Sequence, residues 1–213
     1  MQICKRPEKI SAIIFDMDGT LYTHPEYLRF QIDASIQRLA EVRGAPLEAM
    51  KREIAEYRAE WAETHGGRQI SLGNTFKAFG ISIAESIRWR EELYEPADFL
   101  KADTALQTAL LRCKAKLAVV TNNPVLVARK TLAVLGVEDC FTGVVGLDTC
   151  FVSKPAVEPF LEAVRLCGAP LEECLAVGDR RDLDVAPGLR LGMGGVVVDG
   201  VEEVCHLLEL LKV

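Results

Sequence analysis

What this 213-residue chain has little of already narrows it. No apolar run approaches the roughly 20 residues that span a bilayer. The first residues, Met1 to Lys9, are polar and lack the apolar core of a secretion signal, so a soluble protein is expected. Positive charge is scarce as well. A net charge of −6 leaves no excess for the basic face that a nucleic-acid polymer demands, although a small anion can still be met by a few local cations. The seven cysteines are odd in number, scattered and without a C-x-x-C pair, and no two of the three histidines sit at ligand spacing. Neither a disulfide framework nor a zinc site is signalled, and the pattern reads as mostly reduced core cysteines in a cytoplasmic protein. Internal repeats and low-complexity tracts are also lacking.

What remains is an ordinary globular composition, 49% apolar and 26% charged, long enough for one well-cored domain with a sizeable insertion. Ser11 to Asp16 reads as a buried strand. From His24 to about Pro96 the chain turns charged and helix-forming, with helices expected over Tyr27–Val42, Leu47–Thr64, Ser71–Ala78 and Ile83–Glu92, punctuated by Gly44, Gly66-Gly67 and Gly80. After Ala97 short apolar strands (Lys116–Val120, Gly143–Gly146, Cys174–Val177, Gly195–Val198) alternate with helices (Thr104–Lys114, Val125–Leu135, Pro155–Cys167, Val185–Leu191, Glu202–Leu211). That alternation implies an α/β fold: a Rossmann-like, doubly wound, mostly parallel sheet covered on both faces. Residues 1–22 and 97–213 would form this core, and 23–96 an inserted α-helical domain.

In such sheets ligands bind beyond the carboxyl ends of the strands. Asp16 and Asp18 end the first strand; two residues apart in extended backbone, they converge on one side, and Gly19 turns the chain away. Paired carboxylates repel unless a cation lies between them, and hard oxygen ligands suit Mg²⁺, whereas a surface Asp-x-Asp-Gly turn is the plain alternative. Thr121, Asn122 and Asn123 end the next core strand. The following Pro124 predicts a helix start, whose free N–H groups suit a phosphate or are simply capped. Lys154-Pro155 reads as a second helix start that places an ammonium there. Gly178-Asp179 repeats the first pattern. Asp184 follows as a further ligand or an anchor, and Asp182 as a helix cap.

The order of these four elements closely resembles the haloacid dehalogenase-like hydrolase superfamily. Asp16-Met17-Asp18-Gly19-Thr20 matches its D-x-D-G-T motif, Thr121 its strand-terminal Thr or Ser, Lys154-Pro155 its lysine, and Gly178-Asp179 with Asp184 its G-D-x-x-x-x-D. The insertion falls where that family carries a small α-helical cap. The resemblance implies Mg²⁺-dependent phosphoryl transfer through an aspartyl-phosphate. Asp16 would be the nucleophile and Asp18 the acid/base. Asp16, Asp18 (through its backbone carbonyl), Asp179 and possible ligand Asp184 would serve the metal. Gly19, Thr121, Asn122 and Lys154 would hold the phosphoryl oxygens. Dehalogenases in this family lack the second aspartate, so Asp18 favours a phosphatase or phosphomutase.

The flanks of the first motif, with Glu95-Pro96-Ala97-Asp98-Phe99-Leu100, look like the pyrimidine 5′-nucleotidase-like branch, and phosphoglycolate phosphatases and β-phosphoglucomutases share much of the layout. The leading expectation is a phosphatase of a small phosphate monoester, such as a nucleoside 5′-monophosphate. A β-phosphoglucomutase-type sugar phosphomutase and a non-catalytic regulatory protein on the same fold are the alternatives. The loop Thr64 to Arg68 draws His65 and Arg68 as substrate contacts, or serves as an ordinary helix connection, while Arg58 and Trp61 read as packing or surface residues. A small-molecule partner, and neither membrane nor nucleic-acid polymer, is expected; monomer and homodimer are both open.

Overall fold

The computed structural model describes residues 1–211. Six strands form one sheet: β1 Gln2–Lys5, β2 Ala12–Phe15, β3 Lys116–Val120, β4 Gly143–Val145, β5 Cys174–Gly178 and β6 Gly194–Val197, in the order β1-β6-β5-β2-β3-β4. All pairings are parallel except β1 against β6, which is antiparallel. The helices are α1 Pro25–Arg43, α2 Leu47–Thr64, α3 Leu72–Ala78, α4 Ile83–Leu93, α5 Thr104–Arg112, α6 Val125–Leu135, α7 Leu147–Cys150, α8 Glu158–Cys167, α9 Ala186–Arg190 and α10 Val201–Leu211. No described helix is long and apolar enough to cross a membrane.

Strand β2 is buried along its whole length, as its continuous apolar sequence requires in a sheet covered on both faces. Ile13 and Phe15 point into a cluster with Leu106, Leu132 and Leu207; Ala12 and Ile14 point into the opposite one with Phe160 and Ala163. The chain leaves β2 to β3 on one side and returns to β5 on the other, so β2 lies where the strand order reverses. Phe15 pairs with Val119 of β3 and Val177 of β5, which brings three strand ends to one level. Helices α1 to α4 pack around a separate cluster that includes Leu39, Met50, Phe76 and Trp89. Ser71 and Ser82 cap α3 and α4 through hydrogen bonds from Asn74 and Glu85 N–H.

Three local expectations change. Met1 to Lys9 contains edge strand β1, which carries no apolar alternation because only Cys4 is half-buried. Pro124 is the residue before the first turn of α6 rather than the first helical residue, and Asp148 accepts from Val125 N–H at 2.8 Å in place of a neighbouring cap. Helix α8 begins at Glu158, so Lys154 sits in the loop ahead of it and not at its start.

Truncating Phe15, which meets Phe141 edge-to-face at 6.4 Å, should remove about 3–5 kcal/mol of stability. A urea denaturation series on Phe15→Ala checks this, and a loss under about 1 kcal/mol would mean that the central strand is not the packing centre of the sheet.

Candidate active site

Beyond the ends of β2, β3 and β5 the sheet gathers its charged groups. Asp16 follows β2 and donates its backbone N–H to Val177 O at 2.8 Å, which locks its height against β5. Its carboxylate is buried, pairs with the Lys154 ammonium and accepts from Thr20 Oγ1 at 3.2 Å. Lys154 is itself 1% exposed and also contacts Asp184 Oδ1 at 2.6 Å, so one buried cation bridges two carboxylates. Asn122 Oδ1 accepts from the Lys154 backbone N–H at 2.8 Å and ties its loop to the end of β3.

Two glycines make the arrangement possible. Gly19 has φ +85°, and a Cβ there would lie 2.8 Å from Asp179 Oδ2. A Cβ on Gly178 would lie 2.3 Å from Asp184 Cβ. Either methyl would drive into a site carboxylate.

Asp16, Asp179 and Asp184 each bring an oxygen within 4.8 Å of the others. Asp179 Oδ1 is buried and accepts no hydrogen bond among the described residues, its nearest cation being Arg180 Nε at 3.5 Å. An orphaned carboxylate oxygen in a three-carboxylate group is a donor set that fits a hard divalent cation such as Mg²⁺. Both oxygens of Asp184 are engaged, one by Lys154 and the other by Arg180 N–H at 3.0 Å.

The Asp18 side chain stands apart from that group. Tyr22 Oη donates to its Oδ1, as does Gln31 Nε2 at 3.0 Å. Asn123 Nδ2 reaches both oxygens, and Thr121 Oγ1 lies 3.3 Å from Oδ2. Gln31 belongs to α1, so the helical insertion touches this carboxylate directly.

Burial raises the Asp16 carboxyl, with the Asp184 charge adding, to about 7, and burial with Asp184 likewise raises Asp179 to about 6. Burial alone would raise Asp184 too, but the Lys154 and Arg180 charges outweigh it and hold that carboxyl below its ordinary value. Burial and then the Asp18 charge hold the Tyr22 phenol well above its ordinary value, which keeps it a donor.

These groups open on a cavity of about 230 Å³ between core and insertion, lined on the core side by Asp16, Asp18, Asn122, Asn123 and Asp179, and on the other by Gln31, Arg58, Ser71 and Arg90. Gly19, Thr121 and Lys154 lie beside it, around the same carboxylates. His65 and Arg68 do not line it. The His65 ring stacks on Trp61 at 3.9 Å, and the Arg68 side chain folds back on His65 O at 3.0 Å. Arg58, which the sequence places among surface or packing residues, faces the cavity. The missed residues Gln31, Arg58 and Arg90 lie on the insertion helices, where nothing in sequence spacing separates a cavity-facing polar residue from a solvated one. Asn123 was legible only as part of a helix start.

A family model of haloacid dehalogenase-like hydrolases matches residues 10–192. The chain is 30% identical to a phosphoglycolate phosphatase of Rhodospirillum rubrum, across 88% of this chain and 78% of that protein. It is 27% identical to a phosphoglycolate phosphatase of Aquifex aeolicus, across 85% and 81%. The crystal structure of CbbY from Rhodobacter sphaeroides shares the fold, with a TM-score of 0.61 at 19% identity, covering 90% of this chain and 87% of that one.

The raised carboxyls carry a sign. A carboxyl whose folded value exceeds its unfolded one stabilises the metal-free fold at low pH, and that contribution is lost as pH rises through the folded value. A cation must displace those protons, so its hold strengthens over the same interval. The Mg²⁺-induced rise in Tm should therefore grow from pH 5 upward, most steeply below about 6 where both carboxyls hold protons, and level off above about 7. Thermal melts with and without Mg²⁺ check this, and an equal shift at both ends would count against the three-carboxylate site.

Proposed function

Since the chain belongs to the haloacid dehalogenase-like hydrolase family, we propose that it is a phosphatase of a small phosphate monoester and works through a phosphorylated Asp16. The observation that carries this reading is the separation of the two motif carboxylates. Asp16 is held against a buried ammonium at the cation group, while Asp18 is held apart by four neutral donors.

On this reading Asp16 attacks phosphorus, and the leaving oxygen departs with a proton from Asp18. Asp18 then takes a proton from the water that cleaves the acyl phosphate. Lys154 orients Asp16 and favours its ionised form against the burial that raises it, and with Thr121, Asn122 and the N–H groups near Gly19 it holds the phosphoryl oxygens. Asp16, Asp179 and the backbone carbonyl of Asp18 would hold Mg²⁺, which when bound supplies positive charge against the charge developing on the transferring group. Asp184 serves by holding Lys154 and the Arg180 turn.

The size of the cavity supports a compact ester. At about 230 Å³ it falls below the roughly 300–1,000 Å³ of sites for drug-sized ligands, which tells against a nucleoside 5′-monophosphate. Phosphoglycolate, the substrate named for two relatives, is of that compact kind. The scattered cysteines, with no disulfide framework, support a reducing, cytoplasmic setting.

Rapid-mixing kinetics with p-nitrophenyl phosphate separate the two carboxylate roles. Asp16→Asn should abolish the burst of nitrophenol and lower turnover by at least about 10³-fold, because covalent catalysis is removed. Asp18→Asn should keep a burst, since nitrophenolate leaves without a proton, yet slow the steady rate by about 10²–10⁴-fold. Near-normal turnover by Asp16→Asn would refute the nucleophile assignment.

A further inference from the structure

The cavity wall formed by the insertion carries two arginines that the proposed chemistry does not use. Arg58 of α2 is half-buried and donates to Ile70 O at 3.2 Å. Arg90 of α4 is 4% exposed and donates to Asn122 O, and its Nε is buried with no partner among the described residues. Both hydrogen bonds end on neutral carbonyls. Two other arginines of the insertion meet acids, Arg38 pairing with Glu92 at 2.9 Å and Arg43 with Glu53 at 3.7 Å. Arg58 instead feels burial and the like charge of Arg180, which also lines the cavity, and its guanidinium is held below its ordinary value.

An uncompensated buried charge is costly, and a guanidinium presents a fork of donors that matches a carboxylate or phosphate. The phosphoryl-binding groups lie on the core side around Lys154, so these two cations face the other part of a substrate. Resting on the phosphatase reading above, we propose that Arg58 and Arg90 form a second anion subsite, and that the preferred ester carries a carboxylate or a second phosphate on its leaving group. An aliphatic or sugar leaving group would bury these charges without a counter-ion. A purely structural role for Arg90, latching the insertion to the Asn122 carbonyl, would not depend on the charge of the ligand.

The test measures binding, so that it does not depend on turnover. Calorimetric titration of the Asp16→Asn protein with Mg²⁺ compares 2-phosphoglycolate, inorganic pyrophosphate and the neutral-tailed 2-hydroxyethyl phosphate. One charged probe should bind at least about tenfold more tightly than the neutral one, as a charge-assisted hydrogen bond predicts, and which one does so identifies carboxylate or phosphate as the second group. Arg58→Gln and Arg90→Gln should each collapse that ratio, and Arg58→Lys should keep part of it. Arg58 is only half-buried, so its variants keep the test valid if Arg90→Gln fails to fold. Equal affinity for charged and neutral probes, or a ratio untouched by Arg58→Gln, would overturn the subsite. Hydrolysis of the same esters by the wild-type chain is scored separately: turnover without charge preference leaves the phosphatase reading intact and removes only the subsite, while preferential binding without turnover does the reverse.

Discussion

A single buried ammonium organises this site. Lys154 Nζ lies between Asp16 and Asp184, each of the three being almost wholly withdrawn from water. They come from three separated stretches of chain: the end of β2, the loop ahead of α8 and the turn after β5. Removing one member of such a group leaves an uncompensated buried charge, at a cost of about 3–5 kcal/mol. The ion pairs therefore fix the relative positions of the three loops. The crowding they leave matters as much: even with Lys154 and Arg180 beside them, three clustered carboxylates share one buried site, and Asp16 and Asp179 respond by holding protons towards neutrality. A divalent cation would relieve that crowding.

From that constraint follows a division between core and insertion. The core supplies the groups proposed to meet the phosphoryl unit, set at one level by the parallel register of β2 with β3 and β5. The insertion supplies Gln31 to Asp18 and two arginines, Arg58 and Arg90, to the cavity. Ser71 of the insertion also meets Ser153, next to Lys154, at 2.9 Å. Its seating is thus coupled to both motif loops, so a change of substrate preference can arise in α1 to α4 without disturbing the sheet.

The core was legible because its rules are local. A continuous apolar run, a period of strand and helix, and carboxylates or glycines at strand ends each leave a mark within a few residues of chain. Asp16, Thr121, Lys154, Asp179 and Asp184 were found that way, and the sheet brings them to one end. The direction of the Asp18 side chain was not legible, because it depends on donors from Tyr22 and Asn123 of the core and Gln31 of the insertion that only the fold brings together. Arg58 and Arg90 look like any solvated helical arginine until the fold places them on the cavity wall. His65 drew notice for its loop glycines, yet its ring is spent on Trp61. Edge strand β1 escaped because an exposed edge needs no apolar pattern.

The central claim is that the Asp16 carboxylate, steadied by Lys154, takes the phosphoryl group itself. Acid-quenching a single turnover and mapping the protein by mass spectrometry examines this directly. The account predicts a phosphoryl adduct on the peptide spanning residues 10–22, localised to Asp16. Phosphate release with no adduct at any time point, or an adduct on another residue, would contradict it.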